Sequence, residues 1–289
     1  MIVTVFQKTI LDWYKKNGRH SLPWRYPALK FQKKGVLDPY KILVSELMLQ
    51  QTQVDRVILK FTSFLKAFPT FDALANASTS TLLFEWKGLG YNRRALYLQR
   101  AACIIRDEYR GVFPRDPELI ERLPGVGHYT ARAVAVFSFN TPHVFIETNI
   151  RRVFLHHFFE GKTGVSDEQI LSVVAKALWI SDPRKWYGAL MDYGALGLRD
   201  IPNPNTRSKH YARQSRFEGS TRHARATILN FVLQSNGGVS FPSIQKHLAK
   251  NSELSRYSEK DPLKGLLFAL TAEGFLRGIG NSFKIRENY

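Results

Sequence analysis

The sequence is poor in sulfur: its 289 residues include one cysteine, Cys103, and three methionines. A single cysteine excludes an intrachain disulfide and any multi-cysteine metal site within this chain. No apolar run is long enough to cross a bilayer. The amino terminus lacks an apolar stretch followed by small residues, so no secretory signal is expected. A prokaryotic cytoplasmic, nucleoid-associated location is the expectation. Acids are also scarce, 24 against 42 lysines and arginines, which leaves a formal net charge of +18. Such an excess on a chain with ordinary aromatic content points to a polyanionic partner. The basic residues are dispersed and not gathered on one amphipathic face, which argues against a membrane surface. His156 and His157 are adjacent and face different sides of a helix. The other histidines lack ligand spacing, so neither a metal nor another cofactor is expected. Gly88-Leu89-Gly90 follows no strand and is not a nucleotide loop.

What is there is mostly helical periodicity. Helices are expected over Val3–Lys16, Tyr40–Phe68 (one or two), Asp72–Ala77, Thr79–Trp86, Asn92–Tyr109 and Pro117–Leu123. More follow over Tyr129–Phe139, Asn149–Phe159, Asp167–Leu178 and Pro183–Leu198. A loop holding Pro23 and Pro27 spans Asn17–Asp38, and only Val144–Ile146 and the far carboxyl end read as extended. Arg199–Ser220 combines Pro202, Pro204 and several asparagines with Arg207, Lys209, Arg213 and Arg216, a basic linker. Beyond it, helices over Thr221–Ser235, Phe241–Leu248 and Asp261–Glu273 (capped by Asp261) precede strands around Gly278–Asn281. Three helices closed by a hairpin form a winged-helix pattern.

Leu123-Pro124-Gly125-Val126-Gly127 separates two helical patterns. Glycines two apart permit a tight turn and close backbone approach. The amides of Gly125, Val126 and Gly127, with the start of the next helix, offer a donor site for one phosphate. Such a contact positions DNA and reads no sequence.

These residues, with Leu22-Pro23-Trp24-Arg25, the run Ser45–Val54, Gly88-Leu89-Gly90-Tyr91 and Met191-Asp192-Tyr193-Gly194-Ala195, resemble the helix-hairpin-helix DNA glycosylases, specifically the MutY-like adenine glycosylases. The resemblance covers roughly Leu22–Ala195 and implies an all-α, two-lobed fold with DNA and an extruded base held between lobes. Residues 1–216 are the expected glycosylase domain: an inner lobe of about 30–145, an outer lobe of 1–29 plus 146–198, and the basic linker 199–216. Residues 217–289 are the expected winged-helix-like domain.

Glu46 has Ile42, Leu43 and Leu49 one turn away. Burial on that face raises a carboxyl pKa and makes a general acid. The resemblance assigns Glu46 the protonation of adenine at N7. Glu147 precedes a helix, where a carboxylate is stabilised as an anion, as a sugar oxocarbenium ion requires. Relatives usually carry Asp-Gly-Asn where this chain has Glu147-Thr148-Asn149. Glu147 is therefore either a displaced catalytic group, with Asn149 beside it, or only a helix cap. Tyr129 stands where bifunctional relatives carry the Schiff-base lysine, which implies a monofunctional enzyme. By resemblance Gln50, Gln51 and Tyr91, with Leu89, enter the duplex and fill the gap left by flipping. Trp24 and Arg25 resemble base-pocket residues, and Arg207 and Lys209 are candidate phosphate contacts.

The chain departs from the family in two further respects. Leu196–Ser220 has no cysteine where relatives often ligate an iron–sulfur cluster, so no cluster is expected. The carboxyl-terminal unit does not resemble the relatives' 8-oxoguanine-inspecting domain. The expected function is excision of adenine opposite 8-oxoguanine or G by a monomer on duplex DNA. Excision of another base (thymine or uracil opposite G, or a modified base) and non-catalytic DNA-structure binding are the alternatives.

Overall fold

The computed structural model describes residues 2–25, 35–235 and 237–287. The elements run α1 (Val3–Asn17), α2 (Pro39–Leu49), α3 (Val54–Ala67), α4 (Phe71–Ala75), α5 (Thr79–Trp86), α6 (Arg93–Asp107) and α7 (Pro117–Glu121). Then come α8 (His128–Phe139), α9 (Thr148–Phe158), α10 (Asp167–Ala177), α11 (Pro183–Asp192), α12 (Thr221–Leu233), β1 (Val239–Ser240), α13 (Phe241–Ala249), α14 (Lys260–Ala272), β2 (Leu276–Ile279) and β3 (Ser282–Ile285). The chain is thus predominantly helical, as its periodicity predicts.

Local chemistry sets the ends. Asp116 accepts from the Glu118 amide, with Pro117 in the first turn of α7. Ser166 and Gln169 form a reciprocal capping box on α10. Asn140 closes α8 in a left-handed conformation, φ 59°.

Tyr40–Phe68 forms two helices, α2 and α3, parted at Gln50–Gln53, one of the two expected alternatives. Several other expectations need correction. Val144–Ile146 forms no strand. The pattern over Pro183–Leu198 ends as α11 followed by a π-helical turn, Tyr193–Gly197. Asp261 lies inside the first turn of α14, with Glu259 at the cap position and no side-chain cap bond. Pro27 and the expected lobe boundary near residue 30 lie outside the described residues.

The molecule divides into two compact units, each discontinuous in sequence: Met1–Leu47 with Phe113–Arg213, and Met48–Val112 with Gln214–Tyr289. This division differs from the expected one, because the carboxyl-terminal segment groups with residues 48–112 and is not separate.

The first unit holds α1, most of α2 and α7–α11. Its core gathers Phe6, Ile10, Phe145, Phe154, Trp186 and Tyr187. Phe6 meets Phe154 and Trp186 edge-on, and Phe145 stacks on Tyr187 at 3.9 Å. α1 contributes through its i, i+4 stripe Phe6, Ile10 and Tyr14.

In the second unit, α12–α14 pack with a three-stranded antiparallel sheet of order β1-β3-β2. Gly280 (φ 54°) and Asn281 form the two-residue connection between β2 and β3. Three helices and a hairpin fall where the sequence predicts them, with β1 added. It joins the helices of residues 48–112 through Glu273, which accepts from Arg93 and Arg225, and through Glu287, which accepts from Ser80.

Candidate active site

Three elements of the first unit bring the candidate catalytic side chains together. α2 carries Glu46, which is 7% exposed. α8 carries Tyr129 one residue after its start, and its hydroxyl donates to Glu46 Oε2 at 3.1 Å. α9 is entered through Glu147, which lies close enough to Glu46 to act on it electrostatically.

Burial pushes the Glu46 carboxyl up to about 7, the Tyr129 hydrogen bond opposes the rise, the Glu147 carboxylate adds to it, and Arg25 opposes it. Glu46 is therefore half-protonated near neutrality. Burial and the two carboxylates push the Tyr129 hydroxyl well above its ordinary range, so it remains a donor.

Glu147 is the N-cap of α9. Its Oε1 accepts from the amides of Asn149 and Ile150, at 2.8 Å each, and its Oε2 from Asn149 Nδ2 at 3.2 Å. The longer side chain folds back onto the helix that follows it. Both readings of Glu147 thus meet in one geometry: it caps α9 and it neighbours Glu46. One expectation needs correction. Burial raises the Glu147 carboxyl above its ordinary range, even though two amides, Arg151 and the Asn149 side chain favour its anion. The helix start tempers desolvation without overcoming it.

Asp192, which sequence reasoning passed over, explains part of the 191–195 motif. Fully buried, it accepts from Arg19 N and Nε at 2.7 Å each and from Arg25 at 2.6 and 3.0 Å. Burial alone would raise this carboxyl, but Arg25 and Arg19 outweigh it and hold it below the carboxylate range. Arg25 is therefore engaged in a buried ion pair that ties the 19–25 loop to the end of α11. It also acts on Glu46 only as a neighbouring charge. Trp24, 6% exposed, packs as a core residue. Gly194 explains more of the motif: a Cβ there would fall on the carbonyl of Asn149. Only glycine lets the π-helical turn press on the turn that opens α9.

At the hairpin, Gly125 has φ 78°, as a tight turn requires. The Val126 amide donates to Leu123 O at 3.1 Å, so it closes the turn and does not face a phosphate. The exposed Gly127 stands at the N-cap of α8, where no side-chain cap bond is made. Arg207 is also placed otherwise than expected. Its guanidinium caps the far end of α9, donating to Leu155 O and Phe159 O at 2.8 Å each. Lys209 is exposed, and its amide bonds Val165 O at 2.9 Å.

The second unit carries the residues expected to enter DNA. Gln51 (φ 55°) and Tyr91 (φ 45°) both occupy the left-handed region, a strained choice for side chains with a Cβ. Arg94 supports both loops. Its guanidinium donates to the carbonyls of Met48, Gln50, Leu89 and Gly90 and to Thr52 Oγ1. Burial lowers Arg94 to about 10. Leu89 is 3% exposed and turns inward, so it is no exposed wedge. The Tyr91 hydroxyl accepts from Arg222 at 2.6 Å and from Gln214, and Gln214 also donates to Gln51 at 3.3 Å. Nothing in the sequence signals these long-range partners.

The model of the HhH-GPD superfamily base excision DNA repair proteins matches residues 44–177. The adenine DNA glycosylase of Mycolicibacterium smegmatis is 33% identical over 242 residues, which cover 78% of this chain and 80% of the relative. The chain belongs to the HhH-GPD superfamily. The adenine DNA glycosylase of Buchnera aphidicola (Baizongia pistaciae) is 36% identical over 197 residues, 68% of this chain. The aligned part covers 54% of that relative, so the chain spans about half its length. A thermostable thymine-DNA glycosylase superposes with a TM-score of 0.58 at 26% identity, covering 67% of this chain and 86% of that one. An endonuclease III–DNA complex superposes at 0.52 with 18% identity, covering 70% and 90%, and supports the fold.

In this superfamily member the donor set for the relatives' iron–sulfur cluster does not fit. The one cysteine, Cys103, sits on α6 with its Sγ 3.9 Å from Ala75 O. Residues 196–213 offer amides, hydroxyls, cations, one carboxylate (Asp200) and one imidazole (His210), and none of these is a thiolate.

Proposed function

We propose that the chain is a monofunctional DNA glycosylase that hydrolyses the N-glycosidic bond of an adenine extruded from a mispair. One observation carries this reading: a buried glutamate, poised near pH 7, beside a second carboxylate at a helix start. As the bond to the sugar breaks, its electron pair leaves with the base, and Glu46 donates its proton to that base. The Glu147 carboxylate, held by the α9 amides, faces the positive charge that develops on the sugar. Water then adds to the anomeric carbon and gives up a proton to a carboxylate. Tyr129 orients Glu46 and, lacking an amine, forms no Schiff base. The partner is duplex DNA, gripped at one phosphate by the start of α8, and the protein acts as a monomer in the nucleoid. The likeness to adenine DNA glycosylases favours adenine, opposite 8-oxoguanine or G. The likeness to a thymine-DNA glycosylase favours a second reading, removal of thymine opposite G.

Duplexes with A opposite 8-oxoguanine, A opposite G, T opposite G and U opposite G separate the readings. Alkali-dependent cleavage at adenine that disappears in Glu46→Gln is the expected result. Thymine release that survives Glu46→Gln selects the second reading. Binding without release of any base refutes catalysis, and nicking without alkali refutes the monofunctional assignment.

A further inference from the structure

α9 matters because its first turn holds Glu147 and Asn149. What holds α9 is a short strap, Pro204–Lys209, which no signal in the sequence connects to the reaction. Its Pro204–Arg207 portion is a 3-10 turn opened by Asn203, whose side chain accepts from the Asn205 amide. Asn205 is 6% exposed, and its Nδ2 donates to the carbonyl of Thr148 at 3.1 Å. Thr148 lies between Glu147 and Asn149, and its carbonyl has a second lone pair beyond the helical bond. Among the described residues Asn205 Oδ1 is buried with no partner. A buried unpartnered oxygen is costly, yet the side chain stays where it can reach Thr148.

The strap then grips the other end of the helix. Arg207 caps α9 through Leu155 O and Phe159 O. Val165 N donates to Arg207 O at 3.1 Å and Lys209 N to Val165 O at 2.9 Å, forming a parallel bridge. On a second side of the catalytic turn Gly194 presses on Asn149, and Arg152 donates to Gly194 O at 3.2 Å and Leu198 O at 2.8 Å. α9 is thus pinned along its axis at both ends, and the pin at its start falls on the peptide between the two candidate catalytic residues.

We propose that Asn205 is a positioning residue: by holding the Thr148 carbonyl it sets where the Glu147 carboxylate stands relative to Glu46. The assignment rests on the glycosylase reading above. Asn205 touches no substrate. Its effect is geometric, and misplacement of a catalytic group by about an ångström slows a reaction by up to ~100-fold.

The test is single-turnover excision by Asn205→Ala and Asn205→Ser, with duplex affinity and the pH profile measured alongside. Asn205→Ala is expected to slow excision at least ~10-fold while duplex Kd stays within about twofold. Its basic limb should move to lower pH, because Glu147 drawn away from Glu46 repels its charge less. A merely destabilised protein would not move that limb. Asn205→Ser, a shorter donor, should give an intermediate rate with the same Kd, and it carries the test alone if Asn205→Ala does not fold. Parental rate and limb in the folded variants, or a rate loss matched by lost affinity, overturns the proposal. If the parent chain itself excises no base, the glycosylase reading fails and takes this role with it. If the parent excises and Asn205→Ala equals it, only the positioning role fails.

Discussion

Glu46 is a carboxyl that folding protonates. Its unfolded value is the ordinary 4.5 and its folded value about 7, so the native state binds the extra proton between those two pH values. Stability therefore falls as pH rises through that window, and above it the protein carries the full penalty of a buried charge, roughly 3 kcal/mol. Glu46→Gln should raise the midpoint of thermal unfolding at pH 8 and change it little at pH 4. Equal effects at both values would contradict the buried-acid picture. Under the proposed mechanism excision has the matching sign: it uses the protonated form and should fall off above about pH 7. Tyr129 opposes the rise in Glu46 through its hydrogen bond. Tyr129→Phe should consequently shift the basic limb of the excision profile to higher pH, and a shift to lower pH would refute that role. Glu46 was legible in sequence because its apolar neighbours lie one turn away on its own helix. The pairing of Arg25 with Asp192 and the burial of Trp24 were not legible, because both are set by contacts no local pattern encodes.

At the scale of elements, the entry to α9 joins a cap and a carboxylate in one residue. The sequence predicted this helix and the Glu147 departure from Asp, and left open whether Glu147 caps or acts. The fold shows that capping places the carboxylate, since Oε1 bridges two amides beside Glu46. Burial is what the sequence could not weigh, because it depends on how α2, α8 and α9 pack. Gly194 was visible as part of a motif without a reason, and the carbonyl of Asn149 supplies one. Gly194→Ala should lower stability by about 1–3 kcal/mol through overpacking and slow excision far more than it weakens DNA binding. An alanine variant with parental stability and rate would show that the turn has room. The hairpin shows the opposite balance. Its glycines were read correctly as a turn, but the spacing could not tell that the Val126 amide closes it.

At the scale of the molecule, the excess of +18 predicts binding dominated by phosphate contacts and counterion release. Duplex affinity should drop at least ~10-fold between about 50 and 200 mM salt, with matched and mispaired duplexes losing it alike. A flat salt dependence measured by anisotropy would contradict this. Charge is legible in any sequence, and so was the winged-helix pattern of residues 221–285, because helical and strand periods change locally. The grouping of that segment with residues 48–112 was not, since it depends on Glu273 meeting Arg93 and Arg225 across long separations.

That grouping bears on how the chain is made. Residues 48–112 leave the ribosome well before residues 214 onward, and their partner surface stays uncovered while the whole of 113–213 is synthesised. Long-range closure of this kind is slow, and the waiting surface is prone to aggregate. A chain stopped early, near residue 213, would therefore be released with that face bare and should be cleared or precipitate. It would not survive as a smaller working enzyme.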